Sequence, residues 1–462
     1  MIKIKIGDRT VSAERGEKLS EVFMRHGIDS PHPCAGKGSC KKCRVIVDGE
    51  EVLSCSYVID HDIEVALPKS SARDVKFFAD TKNFDSDGLF YALDLGTTTL
   101  SLALVAKNGE KICVVNTANP QSVFGGDVIS RIAYCTAHGT RAMQSILLKK
   151  INEMTRAVGV NTKTMFVAGN ATMLHLLLGV DCSSIGVAPY KASFLDRKEL
   201  SASELSLEGV ETVVTLPSAH AFVGADVIAG LGYLKTPEPG KYSLLLDLGT
   251  NAELVLFSSD RIICTAAAAG PCFEGANISC GKSAVGGAVS SFEFINGKPH
   301  YTTINGGKPD GICATGLIDT IASLISDETI DESGYMEEDF HFTDKVYLST
   351  GDVRELQLAK SAVCSAIEAL MAMESLTPDD IEHLYVSGGF SQKLSPQNAA
   401  LVGLIPSKLI GKYLSIGNSA LEGIIRHVTD KTPLDALAER AKYIDLTQNE
   451  VFMTRFIENM SF

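Results

Sequence analysis

The chain opens in strict alternation: Ile2, Ile4 and Ile6 are separated by Lys3 and Lys5, and residues 10–13 give a second short strand, the pattern of a hairpin. Leu19, Val22, Phe23 and Met24 then fall on one face of a helix that stops at Gly27. Strands are predicted at 44–47, before an Asp48-Gly49 turn, and at 63–67. Strand, strand, helix, loop, strands over residues 1–67 predicts a small β-grasp domain. Residues 68–88 lose all periodicity, carry lysines and read as a linker. From Leu89 to the end, strands and helices alternate, which is α/β logic. This stretch also repeats. Leu93-Asp94-Leu95-Gly96-Thr97 recurs as Leu246-Asp247-Leu248-Gly249-Thr250, and Val167-Ala168-Gly169-Asn170-Ala171 is echoed by Ser415-Ile416-Gly417-Asn418-Ser419. Two similar lobes facing a cleft, 89–235 and 236–462, are the economical expectation.

A chain of 462 residues exceeds one compact core, so several domains are expected. A net charge of −14 argues against nucleic-acid and anionic-membrane partners. The acidic run from Asp327 to Asp339 reads as a solvated face. The N-terminal strand pattern shows no export signal, and the most apolar windows, such as 173–180, are too short to span a bilayer. A cytoplasmic protein of an oxygen-poor setting is expected.

Of the twelve cysteines, eight lie singly in apolar segments and read as reduced, buried thiols. The other four, Cys34, Cys40, Cys43 and Cys55, have the spacing C-x5-C-x2-C-x11-C. Three thiols on a short loop with Gly36 and Gly38, and a fourth beyond the next strand, can hold the two irons of a [2Fe–2S] centre, a one-electron carrier. Disulfides or zinc are the alternatives; zinc prefers paired knuckles, and only Cys40/Cys43 makes one. About seventy residues is a marginal core, so ligation is expected to contribute to folding of this domain.

Each repeat of Asp-Leu-Gly-Thr sits in a strand–turn–strand setting. Gly96 permits a tight turn and removes the Cβ that would hold a phosphate away, and the Thr97 and Thr98 hydroxyls with their N–H groups can bond phosphoryl oxygens. Asp94 is placed to hold Mg²⁺ through water; Asp247, Gly249, Thr250 and Asn251 repeat the arrangement. A strand over 384–386 runs into Ser387-Gly388-Gly389-Phe390, where bare backbone suits a flat ring. Gly169-Asn170 and Gly417-Asn418 would cap helices crossing between the lobes. Gly281-Lys282-Ser283 fails as a P-loop because position 276 is alanine. Cys264, Cys272 and Cys280 contain no C-x2-C pair and read as buried thiols.

Together these elements resemble the acetate and sugar kinase, Hsp70 and actin superfamily, a ribonuclease H-like, two-lobed ATPase. The resemblance implies that 94–98 and 247–251 are phosphate loops, 387–390 the adenosine segment, and the two Gly-Asn pairs hinge connectors. With the cysteine domain in front, the chain looks like the reductive activators of corrinoid enzymes. Further residues carry that likeness: Asn119-Pro120-Gln121, Phe124-Gly125-Gly126-Asp127-Val128, Gly224-Ala225-Asp226, Gly270-Pro271, Phe273-Glu274-Gly275, Gly311-Ile312-Cys313 and Thr315-Gly316-Leu317-Ile318-Asp319. It implies an ATPase that moves one electron from the [2Fe–2S] cluster to Co(II), regenerating Co(I) for a methyltransferase. The implied partners are a corrinoid protein, an upstream low-potential donor and a second copy in a homodimer. Larger members carry an additional domain between cluster and ATPase; the short 68–88 segment departs from that. Rival readings are an ATP-coupled donor to another low-potential enzyme, a small-molecule kinase with a redox-sensing domain, and an actin-like scaffold.

Overall fold

The computed structural model describes residues 1–7, 9–26, 28, 43–67, 74–78, 88–249, 251–389 and 391–462. Cys34 and Cys40, with Gly36, Gly38, Thr250 and Phe390, lie outside the described residues.

The N-terminal sheet contains β1 (Ile2–Ile6), β2 (Arg9–Ala13), β3 (Arg44–Val47), β4 (Glu50–Leu53) and β5 (Ile63–Ala66), in the order β2-β1-β5-β3-β4. Strands β1 and β5 run parallel at its centre. Helix α1 (Leu19–His26) packs Leu19, Val22 and Phe23 onto one face, against Ile4, Val11, Val45, Val47, Ile63 and Val65. The period-2 residues are those buried, and the result is the expected β-grasp domain.

A four-residue strand, β6 (Asp74–Phe77), lies within the segment read as linker. It pairs antiparallel with β9 (Lys111–Ala118), Asp74 opposite Asn116 and Phe77 opposite Cys113. That seven-stranded sheet also contains β7 (Leu89–Leu95), β8 (Thr99–Ala106), β10 (Thr162–Gly169), β11 (Lys198–Ser201) and β12 (Val210–Thr215), in the order β11-β12-β10-β7-β8-β9-β6. Helices α2 (Val128–His138), α3 (Arg141–Val158) and α4 (Ala171–Leu178) accompany it, and α5 (Ala225–Tyr233) follows β12.

The second large sheet is built from β13 (Tyr242–Leu248), β14 (Ala252–Phe257) and β15 (Ile262–Ala267), followed by an insertion carrying β16 (Ala288–Ile295), β17 (Lys298–Thr303), β18 (Gly311–Ile312), β19 (Phe340–Thr343) and β20 (Val346–Leu348). It is completed by β21 (Ile381–Ser387), β22 (Tyr413–Gly417) and β23 (Lys442–Tyr443), in the order β22-β21-β13-β14-β15-β23. Its helices are α6 (Ala314–Ser326), α7 (Thr350–Met373), α8 (Pro396–Leu401), α9 (Ser419–Thr429), α10 (Leu434–Arg440) and α11 (Glu450–Glu458). Among the described residues, α7 is long and apolar enough to cross a membrane; 78% of its most apolar window is buried inside the fold.

The run β12-β10-β7-β8-β9 has the same order and directions as β22-β21-β13-β14-β15. The sequence echo therefore paired non-equivalent strands. Gly169-Asn170 ends β10, whose counterpart is β21, whereas Gly417-Asn418 ends β22, whose counterpart is β12. One compact unit comprises Met1–Asp226 with Ile424–Thr432, and the other Val227–Gly423 with Pro433–Phe462. The chain thus changes unit inside α5 and inside α9, the helices that follow the two equivalent strands. Helix α4, behind Asn170, stays in the first unit, so the crossing between units expected at Gly169-Asn170 occurs instead within α5.

Within the second unit, α5 and α9 meet backbone to backbone. A Cβ on Gly423 would stand 1.8 Å from the Ala229 carbonyl oxygen, and one on Gly230 would stand 2.6 Å from Ser419 Oγ.

Candidate functional site

Cys43 precedes β3 and Cys55 follows β4, so the hairpin closes them together. Both are buried, and their Sγ atoms lie 3.2 Å apart, well beyond the roughly 2.05 Å of a disulfide bond. Two converging buried thiols at a loop mouth fit half of a thiolate cluster site; the other two expected ligands, Cys34 and Cys40, lie outside the described residues. Burial pushes the Cys264 and Cys272 thiols up to about 12, which keeps them protonated, as buried structural thiols are; Cys280, expected to be buried with them, is only partly so, and its thiol is also pushed upward. Among the described residues no further group of three or more His, Cys, Asp or Glu is placed to hold a metal.

The turn expected to be the first phosphate loop lies between β7 and β8. A Cβ on Gly96 would meet the Thr99 carbonyl oxygen at 2.6 Å, and the Gly96 N–H donates to that oxygen at 3.1 Å, so the turn closes only around glycine. Asp94 is half-buried at the end of β7 beside Ala168 of β10. Asn170 serves twice: its Oδ1 caps α4 by accepting from the Met173 N–H at 2.9 Å, and its Nδ2 donates to Thr97 Oγ1 at 3.0 Å.

Two residues that the sequence reading gave no role reach the same loop. Asn119 Nδ2 donates to the Gly96 carbonyl at 2.8 Å, and the Asn119 N–H donates to the Thr98 carbonyl at 2.8 Å. Arg131, fully buried on α2, donates from Nη2 to the Thr97 carbonyl at 2.7 Å and from Nε to the Gly125 carbonyl at 3.0 Å. The signal for Asn119 was its place just after β9; Arg131 has the spacing of an ordinary exposed helical arginine.

In the second unit Asp247 lies opposite Ser387 across the parallel pair β13/β21, the register position that Asp94 and Ala168 occupy in the first. Burial pushes the Asp247 carboxyl above the usual carboxylate range, and the neighbouring Ser387 hydroxyl offsets this only in part. Ser387 Oγ is itself buried without a hydrogen bond of full geometry. The Gly249 N–H donates to the Asn251 carbonyl at 2.9 Å, closing the second turn; Thr250, expected there, lies outside the described residues.

Gly388 has φ +107°, and a Cβ on it would lie 2.2 Å from the Leu248 carbonyl oxygen. Gly169 does the same in the first unit, with a Cβ position 2.7 Å from the Leu95 carbonyl oxygen. Each fourth strand thus ends in a glycine pressed on the carbonyl that closes the first strand. The bare face of Gly388 is used by backbone, while Gly389 has open space within 4 Å of its Cβ position. Gly417 pairs with Ser387 across β21/β22, and Asn418 Oδ1 caps α9 by accepting from the Leu421 N–H at 2.8 Å. Ser387, Gly388, Gly249 and Gly417 therefore gather at the carboxyl ends of neighbouring parallel strands, where α/β sheets bind ligands.

Comparison with known proteins agrees with this architecture. Residues 1–69 match the 2Fe-2S iron-sulfur cluster binding domain, 89–236 the RACo middle region, and 241–462 the C-terminal domain of RACo, the ASKHA domain. The corrinoid activation enzyme RamQ of Eubacterium limosum is 28% identical over 98% of this chain and 98% of its own. That alignment runs to 584 residues against 462 here, so the relative carries additional residues. The [Co(II) methylated amine-specific corrinoid protein] reductase of Methanosarcina barkeri is 26% identical over 76% of this chain and 72% of its own. A solved structure of a reductive activator for corrinoid, iron-sulfur protein superposes with a TM-score of 0.73 at 23% identity, covering 100% of this chain and 98% of that one, which establishes the shared fold. With two RACo domains spanning nearly everything after Leu89 and a ferredoxin domain before it, the chain belongs to the RACo family of corrinoid reductive activators.

Proposed function

We propose that this chain regenerates Co(I) in the corrinoid protein of a methyltransferase system, passing it one electron at a time under control of ATP. The observation that carries the reading is the presence, in one chain, of converging cluster thiols and a duplicated strand–glycine–strand phosphate loop. The proposed division of labour follows: residues 1–67 for the electron, 89–235 and 236–462 for the nucleotide, with 68–88 joining them.

When bound, a [2Fe–2S] centre supplies a single electron at low potential. Cys43 and Cys55, buried on the β3/β4 hairpin, would hold it together with Cys34 and Cys40. Reduction of Co(II) is uphill, and each 59 mV of deficit costs about tenfold in a one-electron equilibrium. Nucleotide binding offsets that deficit only if it favours one state of the protein over another.

Thr97 and Thr98 take phosphoryl oxygens through N–H and hydroxyl groups beside the bare Gly96, and Thr250 and Asn251 do so beside Gly249 in the second unit. Asp94 and Asp247 would hold Mg²⁺ through its water shell, which magnesium gives up reluctantly. Gly389 offers bare backbone to the nucleoside.

The test is anaerobic incubation with a titanium(III) reductant, ATP and an oxidised corrinoid protein, following the Co(II) absorption band. The band should decay only with nucleotide present. Asp94→Ala and Asp247→Ala should keep the visible iron–sulfur spectrum and abolish the ATP-dependent decay. Equal decay with and without ATP in the parent protein would remove the nucleotide from the reaction.

A further inference from the structure

We propose that Asn119 and Arg131 are positioning residues that turn Gly96-Thr97-Thr98 into a preformed anion cradle for the polyphosphate chain of a nucleotide. The inference rests on the nucleotide reading above and assigns the part of that site which acts from behind the loop.

Three successive carbonyls of the turn are each taken by a donor from the protein side. Asn119 Nδ2 holds Gly96 O, Arg131 Nη2 holds Thr97 O, and the Asn119 N–H holds Thr98 O, at 2.8, 2.7 and 2.8 Å. In a planar trans peptide the N–H points opposite to the C=O. Fixing the Gly96 and Thr97 carbonyls inward therefore turns the Thr97 and Thr98 N–H groups to the opposite face. Thr97 Oγ1 accepts from Asn170 Nδ2, so its own hydrogen is directed elsewhere and can be donated to a ligand. The Thr97 N–H on that face, with the Thr97 hydroxyl beside it, suits a phosphoryl oxygen.

The donors are themselves locked. Both ends of the Asn119 amide are used, because its Oδ1 accepts from the Gln121 N–H at 2.9 Å. Gln121 Nε2 donates to the Met143 carbonyl at 3.1 Å, and Arg131 Nη1 reaches Gln121 Oε1 at 3.4 Å and Met173 Sδ at 3.1 Å. A fully buried guanidinium is costly unless it is bonded throughout, and its planar fork is matched here to acceptors on four segments. Arginine keeps its charge at any working pH. One peptide unit in front of that charge is where an anion would lie.

Asn119→Asp is the sharpest perturbation. It preserves size and the oxygen that accepts from Gln121, and replaces the donor to Gly96 O with an oxygen. Arg131→Lys keeps the charge and loses the fork. Full-length, cluster-loaded protein would be compared by thermal midpoint without ligand, visible spectrum, and calorimetric titration with Mg-ATP. Both variants should bind Mg-ATP at least tenfold more weakly, with the ligand-free midpoint within a few degrees of the parent and the spectrum unchanged. Arg131→Met should bind more weakly than Arg131→Lys. Binding by Asn119→Asp within twofold of the parent overturns the proposal. So does a collapsed ligand-free midpoint in both Asn119→Asp and Arg131→Lys, which would make these residues fold supports only. Should the parent itself fail to bind Mg-ATP, the nucleotide reading falls, and titration with inorganic pyrophosphate decides the cradle. Pyrophosphate bound by the parent and not by Asn119→Asp sustains it; none bound by either overturns it.

Discussion

Gly423→Ala sets two effects of opposite sign against each other at the point where α5 and α9 touch. Alanine is favoured over glycine inside a helix by about 1 kcal/mol. The added methyl, however, would stand 1.8 Å from the Ala229 carbonyl oxygen and 2.2 Å from its carbon, both backbone atoms that cannot rotate away. The helices must part by more than an ångström, and overpacking of this kind costs about 1–3 kcal/mol or somewhat more. Every contact across the widened crossing also loses a quarter to a half of its dispersion energy. Taking about 3 kcal/mol of cost against about 1 of gain leaves a net loss of about 2 kcal/mol, roughly 4–8 °C in the melting of a unit of this size. Gly230→Ala is the matched control. Its methyl meets Ser419 Oγ, a side-chain atom that has no hydrogen-bond partner and can change rotamer without loss. That variant should melt close to the parent. Anaerobic differential scanning calorimetry of the three proteins is the assay. A Gly423→Ala transition at or above the parent's, or an equal fall in Gly230→Ala, would refute the crossing as described.

Cys43→Ala and Cys55→Ala should each reduce bound iron and the visible absorption while Mg-ATP affinity stays at the parent's level, as read by iron analysis and calorimetric titration. Gly388→Ala places a side chain at φ +107° and 2.2 Å from the Leu248 carbonyl. Positive φ alone costs about 1–2 kcal/mol, so the turn proposed as the second phosphate loop should shift and the proposed ATP-dependent corrinoid activation fall, with iron content unaltered. Burial holds the Asp319 carboxyl above the usual carboxylate range, although Asn398 Nδ2 donates to it at 2.7 Å. An acid with a raised folded pKa favours the fold below its unfolded pKa, and that contribution disappears as pH rises through the folded value. Asp319→Asn does not ionise, so its melting midpoint should gain on the parent's as pH rises above about 4; a constant gap would contradict the burial argument.

The paired hairpins were legible because their chemistry is local: Asp-Leu-Gly-Thr needs a strand end and a turn, and both survive any tertiary context. The Gly-Asn echo misled for the same reason. A glycine followed by an N-cap asparagine is a local way to leave a strand and enter a helix, and the chain uses it after β10 and after β22, which occupy different places in their sheets. The true counterpart of β22, β12, leads through 216–224 into α5 without such a pair, so only the sheet order shows the relation. Strand β6 was missed because four residues with a lysine give no usable period; it exists because β9 had an open edge. Arg131 was passed over because arginine in a helix is ordinarily solvated, and nothing local says that carbonyls from Thr97 and Gly125 will converge on it. Conversely, the buried character of Cys264 and Cys272 followed from their apolar neighbours alone.

The pairing of β6 with β9 puts a leash on the ferredoxin-like domain. Between Leu67, just past the ferredoxin sheet, and Asp74, anchored on the β9 edge, the chain can pay out about 25 Å at about 3.5 Å per residue. Were those four residues to unzip, the same stretch measured to Leu89 would allow about 75 Å. A short edge strand is therefore a length stop on how far residues 1–67 can reach from the β9 edge.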